Sequence, residues 1–144
     1  GICFQTGTVV CSQGQGSMKK AAIALVALVA IEHLYILALE MFFWTEPVGL
    51  RTFGLTPEFA QQSAALAANQ GLYNGFLAAG LIWSLLRKTD AFALQVFFLG
   101  CIIVAGIFGA MTAKPSILWV QAAPATIALL AVLFARRQTN TSTY

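Results

Sequence analysis

Residues 21–43 read AAIALVALVAIEHLYILALEMFF, and this stretch decides the fold. A bilayer's hydrocarbon core of ~30 Å takes about 20 apolar residues of helix to cross. No Gly or Pro interrupts the run, so nothing in it breaks a helix. Three more apolar stretches follow, at roughly 67–86, 91–112 and 116–135. Open strands cannot satisfy their backbone in lipid, and a barrel needs alternation that these solid runs lack. The sequence therefore predicts an all-α fold, a four-transmembrane-helix antiparallel bundle.

Composition points the same way. The 144 residues are 59% hydrophobic and only 9% charged, against about 25% charged in a soluble domain. So few charges cannot cover a water-facing surface, and the length suits one domain. The net charge of +3 does not mark a nucleic-acid protein, because the basic residues flank apolar runs instead of forming one face. Nucleic acid is not an expected partner.

The flanks also set an orientation. With the Met18 end in the cytoplasm, Lys19, Lys20, Arg87, Lys88, Arg136 and Arg137 fall inside, while Arg51 and Lys114 fall outside. The positive-inside rule then puts both termini of this multi-pass protein in the cytoplasm. Short connections at 87–90 and 113–115 make the last three spans antiparallel neighbours.

Residues 1–17, GICFQTGTVVCSQGQGS, are uncharged and rich in Gly, Gln, Ser and Thr. They read as a disordered leader or upstream remnant, with Met18 a natural start. The membrane domain is 18–137, and 138–144 is a polar tail. A cleaved signal peptide is not expected, since the apolar run is too long and lacks a small-residue cleavage site. Cys3, Cys11 and Cys101 form neither a disulfide framework nor a metal pattern, and Cys101 reads as a small core residue.

The only long loop, about 44–66, is external. Its Thr56-Pro57-Glu58 reads as a helix start: Thr as cap, Pro in the first turn, Glu at the positive end of the dipole. Trp44 and Trp119 fit an outer aromatic belt as interface anchors, and Trp83 an inner one. Gly71 and Gly75, with the pairs Ala105/Gly109 and Gly106/Ala110, have the small-xxx-small spacing that lets helices approach in lipid.

The chemistry sits in the first span. A chain with five acidic residues puts Glu32 and Glu40 there, beside His33. A charge near the bilayer centre costs at least ~2.5–3.5 kcal/mol on insertion scales. His33, Leu37, Glu40 and Trp44 share one helix face. His33 and Glu40 lie ~20° apart around the axis and about 10 Å along it, so a ligand or water chain has to link them. At the depth of Glu40 the other spans bring Asn69, Gln70, Tyr73, Asn74 and Gln121, with His33 nearer the middle. These seven residues form the expected binding or proton-linked site. No catalytic set, metal site or cofactor is expected: the chain has no nucleophile triad pattern, no phosphate-binding Gly loop and too few Cys and His. Glu32 lies ~100° off the His33 face and has no evident partner.

These residues resemble a family. His33-x-Tyr35-Ile36 with Leu39-Glu40-x-Phe42-x-Trp44, the string Asn69-Gln70-Gly71-x-Tyr73-Asn74-Gly75-Phe76-Leu77, the Ala105-Gly106-x-x-Gly109 run and Gln121-x-x-Pro124 resemble the small bacterial membrane proteins grouped as domain of unknown function 1304. The resemblance runs from Met18 to Arg137. It implies the four-span fold and singles out the same residues, and it carries no reaction with it.

Three functions compete. One is binding or proton-linked transport of a small solute or an amphiphilic or cationic ligand, using Glu40 and His33. The four short spans resemble the small multidrug exporters, but the strong charge bias and His33 depart from that pattern. Another is an intramembrane isomerase acting on a hydrophobic substrate, an analogy of residue types alone. The last is an accessory membrane subunit whose polar residues hold helices together. The bilayer and a second copy of the chain are the other expected partners.

Overall fold

The computed structural model of this chain describes residues 6–141. Its elements are α1 (Thr6–Phe42), α2 (Pro47–Phe53), α3 (Pro57–Leu86), α4 (Ala91–Thr112), a π-helical turn (Leu118–Ala122) and α5 (Ala123–Thr141). No strand occurs among the described residues, so the fold is all-α. The expected leader falls in part on residues 1–5, which lie outside the described residues, as do the last three of the tail. From Thr6 the chain is helical and runs without a break into the first apolar stretch. Gly14 and Gly16 weaken that extension but contain no element that would end it.

Four long helices pack in a cycle. α1 lies against α3 and α5, and α4 lies against α3 and α5. Two contacts fix which ends go together. The Arg136 guanidinium stands 5.2 Å over the Phe92 ring, joining the end of α5 to the start of α4. At the opposite end, a Cβ on Gly54 would lie 3.9 Å from the Lys114 ammonium nitrogen. Arg87 and Lys88, in the α3–α4 link, share the first end with Arg136 and Arg137, while Arg51 shares the other with Lys114.

The core is made of small and medium side chains: Ala22, Val26, Val29, Ala30, Leu81, Leu99, Ile102, Ala125, Ala128 and Val132. Many large apolar residues point outward, among them Leu28, Ile31, Leu66, Phe76, Phe97, Phe108, Met111 and Phe134. Water penalises so much exposed apolar surface, whereas acyl chains do not. Three helices are long and apolar enough to cross a bilayer: Gly16–Phe42 of α1, Ala91–Thr112, and Leu118–Thr139. The sequence suggests four spans. α3 has the length, with 30 residues, but Asn69, Gln70 and Asn74 keep it less apolar than the other three.

The connections follow their turn chemistry. Thr56 caps α3 by accepting from the Phe59 N–H at 3.3 Å, with Pro57 in the first turn and Glu58 beside it. α2 ends at Gly54, whose φ of 68° is the left-handed conformation that favours glycine. The π-turn has a covalent cause. Pro124 has no N–H for the Val120 carbonyl and its ring crowds that carbonyl, so the helix widens and the Ala123 N–H bonds back to Leu118 instead.

Candidate functional site

The site is built on the seam between α1 and α3. Gly71 and Gly75 let the two helices meet. A Cβ on Gly71 would lie 2.7 Å from Met41 Cγ, 3.1 Å from Glu40 Cβ and 3.2 Å from the Leu37 carbonyl oxygen. One on Gly75 would lie 2.6 Å from Leu37 Cδ1. At this closest approach Asn74 Nδ2 donates to Glu40 Oε2 at 2.7 Å, short enough for a charge-assisted bond. Asn74 is 3% exposed, and its amide also donates to the Gln70 carbonyl at 3.4 Å. No hydrogen bond among the described residues reaches the other oxygen of Glu40, which is free to accept.

His33 lies two turns from Glu40 on the same face and is 1% exposed. Its Nδ1 donates to the Val29 carbonyl at 2.9 Å. A carbonyl can only accept, so Nδ1 carries the proton, and in the neutral ring Nε2 is a bare acceptor. That Nε2 is buried and has no partner among the described residues. Buried polar atoms are nearly always paired, and an exception calls for a reason. Counting four residues along antiparallel helices from the Leu37–Gly75 contact reaches the Ala78–Ala79 step of α3, of which Ala78 is buried. This part of α3 offers no polar side chain, and Nε2 is available to a proton or a small polar ligand.

The remaining expected site residues divide. Gln121 is half-buried inside the π-turn, and it makes no bond to Glu40. Asn69 and Gln70 are exposed on α3, as is Tyr73 at 54%. Tyr73 stacks edge-on against Phe76 at 6.0 Å. Thus Glu40 and Asn74 are brought into contact, His33 is aligned beneath them, and Asn69, Gln70 and Tyr73 are turned outward. Trp44 is half-buried. Its ring lies 4.7 Å from Phe53 and its Nε1 donates to Ser63 Oγ at 3.0 Å. Trp119 is 72% exposed. Gly106 and Gly109 pack α4 on the chain after it: a Cβ on Gly106 would lie 2.8 Å from the Ala122 nitrogen, and one on Gly109 3.2 Å from Ile117 Cγ2. Among the described residues no three of His, Cys, Asp and Glu come together to hold a metal.

Sequence reasoning passed over Ser63, which anchors Trp44 and itself donates to the Phe59 carbonyl at 2.6 Å. It also passed over Ser84, fully buried, whose hydroxyl donates to Leu81 at 2.6 Å. A Ser nearly two turns after a helix start, facing a Trp just past the end of the first span, is the signal for the first. Nothing in the sequence marks the second.

Residues 27–133 match the family described as "Protein of unknown function (DUF1304)". The chain belongs to the DUF1304 family. The chain is also similar to the "Uncharacterized protein YpaA" of Lactococcus lactis subsp. lactis (strain IL1403), 32% identical over 119 residues, which cover 81% of this chain and 100% of the relative. No solved structure matches the chain. The matched DUF1304 segment takes in His33, Glu40, Asn74 and Gln121.

Proposed function

We propose that this DUF1304 protein is a multi-pass protein of the bacterial inner membrane, with α1, α3, α4 and α5 all spanning and both ends in the cytoplasm. In this reading Glu40 and His33 form a polar intramembrane site for binding, or proton-linked transport, of a small solute or amphiphile. The observation that carries it is the Glu40 Oε2 to Asn74 Nδ2 contact of 2.7 Å on the same α1 face as a fully buried histidine with an unpartnered Nε2. An acid and a base held in one apolar seam, each with an open acceptor, suit proton exchange coupled to a polar headgroup. The basic residues, six at one end and two at the other, support the orientation. The less apolar α3 crosses because its amides face α1 or sit near the outer surface.

The test is a pH-gradient-driven flux in proteoliposomes, run with a panel of small cationic and amphiphilic solutes. Flux that is present in the native protein and lost in Glu40→Gln supports the reading. Flux unchanged in Glu40→Gln and His33→Leu removes it. A structural role is favoured by a separate observation: the Glu40–Asn74 bond lies where Gly71 and Gly75 bring the helices closest. That role requires Glu40→Ala, which removes the acceptor, to melt at a distinctly lower temperature in detergent, while Glu40→Gln, which keeps it, melts near native and shows no solute effect at all.

A further inference from the structure

Glu32 is the acidic side chain that the α1–α3 seam leaves unexplained. It lies inside the apolar segment Gly16–Phe42, about 100° around the helix from the His33–Glu40 face. It is half-buried, and among the described residues no hydrogen bond or ion pair reaches it. Ionisable groups in membrane segments ordinarily face the interior or pair with another group. The partner of Glu32 therefore has to come from outside the chain, and it has to donate a hydrogen bond at the depth of mid-α1.

The chain itself carries such a donor. Tyr35 is 57% exposed and lies three residues on, about 60° from Glu32 on the outward side of α1. Its hydroxyl makes no hydrogen bond among the described residues either. Leu28, Ile31 and Phe42 are exposed on the same side. We propose that this face is a homodimer interface, in which the Tyr35 hydroxyl of each copy donates to the Glu32 carboxyl of the other.

The geometry suits a two-fold axis along the membrane normal. Two copies oriented by the same basic flanks lie parallel. Parallel α1 helices set Tyr35 of one copy about 4.5 Å along the axis from Glu32 of the other, an offset within reach of a phenol and a three-carbon acid side chain. An isologous interface repeats the contact, so one donor and one acceptor per copy satisfy all four groups. A partner of different sequence would have to supply a donor and an acceptor at the same spacing; a second copy has both by construction of the face. The proposal rests on α1 crossing the membrane and not on the Glu40 site, so loss of solute flux does not bear on it.

The experiment uses the full chain with Cys3, Cys11 and Cys101 replaced by Ser. Leu28→Cys sits one turn from Glu32 on the proposed face, and Phe108→Cys sits on the outward side of α4. Oxidation in native membranes is expected to give a disulfide-linked homodimer with Leu28→Cys and at most a tenth as much with Phe108→Cys. In nanodiscs, native mass spectrometry is expected to show the dimer fraction falling at least fivefold in Tyr35→Phe and in Glu32→Ala, with no further fall in the double variant. Glu32→Gln keeps an acceptor oxygen and should retain most of the dimer. Tyr35→Phe keeps the ring, so it carries the test if Glu32→Ala does not fold. Equal cross-linking at both positions, a dimer fraction within twofold of native in Tyr35→Phe, or a complex containing a different protein overturns the proposal.

Discussion

Asn74 reaches Glu40 across the α1–α3 seam at 2.7 Å, three residues from Gly71, where a Cβ would already press on Glu40 Cβ at 3.1 Å. The bond and the glycine depend on each other. Without the close approach the short Asn side chain would not span the gap. Without the bond, two polar groups would be buried at the tightest point of the packing.

Asn74→Ala should therefore destabilise the protein. Interhelical hydrogen bonds in membranes are worth ~0.6 kcal/mol on average and at most ~1.7, and the upper end applies here because the acceptor is a carboxyl group left unpaired. Asn74→Asp should be worse than Asn74→Ala, since it sets acceptor against acceptor. Glu40→Gln should be milder than either, because a carboxamide oxygen still accepts from Asn74 Nδ2. Thermal unfolding in detergent, followed by scattering or intrinsic fluorescence, orders the three.

The glycines should rank by what a methyl group meets. Gly106→Ala meets the backbone nitrogen of Ala122 at 2.8 Å and its Cβ at 2.9 Å, atoms that cannot rotate away. Gly71→Ala meets a flexible Met41 at 2.7 Å but also the Leu37 carbonyl at 3.2 Å. Gly75→Ala meets only the tip of Leu37 at 2.6 Å, which can turn aside. Gly100→Ala meets nothing within 4 Å and should be neutral or gain up to ~1 kcal/mol of helix propensity. Overpacking costs ~1–3 kcal/mol, so melting temperatures should fall in the order Gly100→Ala, Gly75→Ala, Gly71→Ala, Gly106→Ala. A Gly106→Ala protein as stable as native would mean that α4 and the π-turn are farther apart than 2.8 Å contacts imply.

Much of the architecture could be read from residue patterns, for physical reasons that also mark where reading stops. The fourth helix's Ala91–Thr112 bounds and the Thr56 cap follow from local chemistry. That His33 and Glu40 share a face follows from helical periodicity alone. Which of two adjacent α3 faces meets α1 does not. Both carry polar residues, and the choice is made by Gly71 and Gly75, which let the Asn74 side approach and turn Asn69 and Tyr73 outward. The apolarity of α3 is likewise diluted by the very amides that made it notable. Sequence reasoning passed over the π-turn, reading 116–135 as one span, although Pro124 carries its cause: a proline inside a helix must disturb the bond four residues back.

Gly54 offers a test at the end of the bundle that holds Arg51 and Lys114. Its φ is 68° and its N–H bonds to the Leu50 carbonyl, closing α2. An L-residue in that conformation costs roughly 1–2 kcal/mol. Gly54→Ala should lower the melting temperature, and Gly54→Asn should do so less, because Asn tolerates the left-handed region. Limited proteolysis at Arg51, an exposed basic residue of α2, should speed up in Gly54→Ala well before the long helices lose structure. Equal cleavage rates in Gly54→Ala and native protein would mean that α2 ends without help from this glycine.

His33 separates a functional site from structural glue most cleanly. Its Nε2 is buried with no partner among the described residues, so the side chain carries a desolvation cost that no contact among them offsets. Its Nδ1 bond goes to Val29, whose carbonyl keeps its helical N–H partner when the ring is removed. His33→Leu, of similar bulk, should therefore fall within about 1 kcal/mol of native stability or exceed it. His33→Ala should lose ~2 kcal/mol or more to the cavity left in a seam of small residues. If His33 serves proton exchange with Glu40, both variants should abolish pH-gradient-driven solute flux, although only His33→Ala is unstable. A His33→Leu protein that melts far below native would instead give the histidine a structural partner, and flux retained in it would take His33 out of the site.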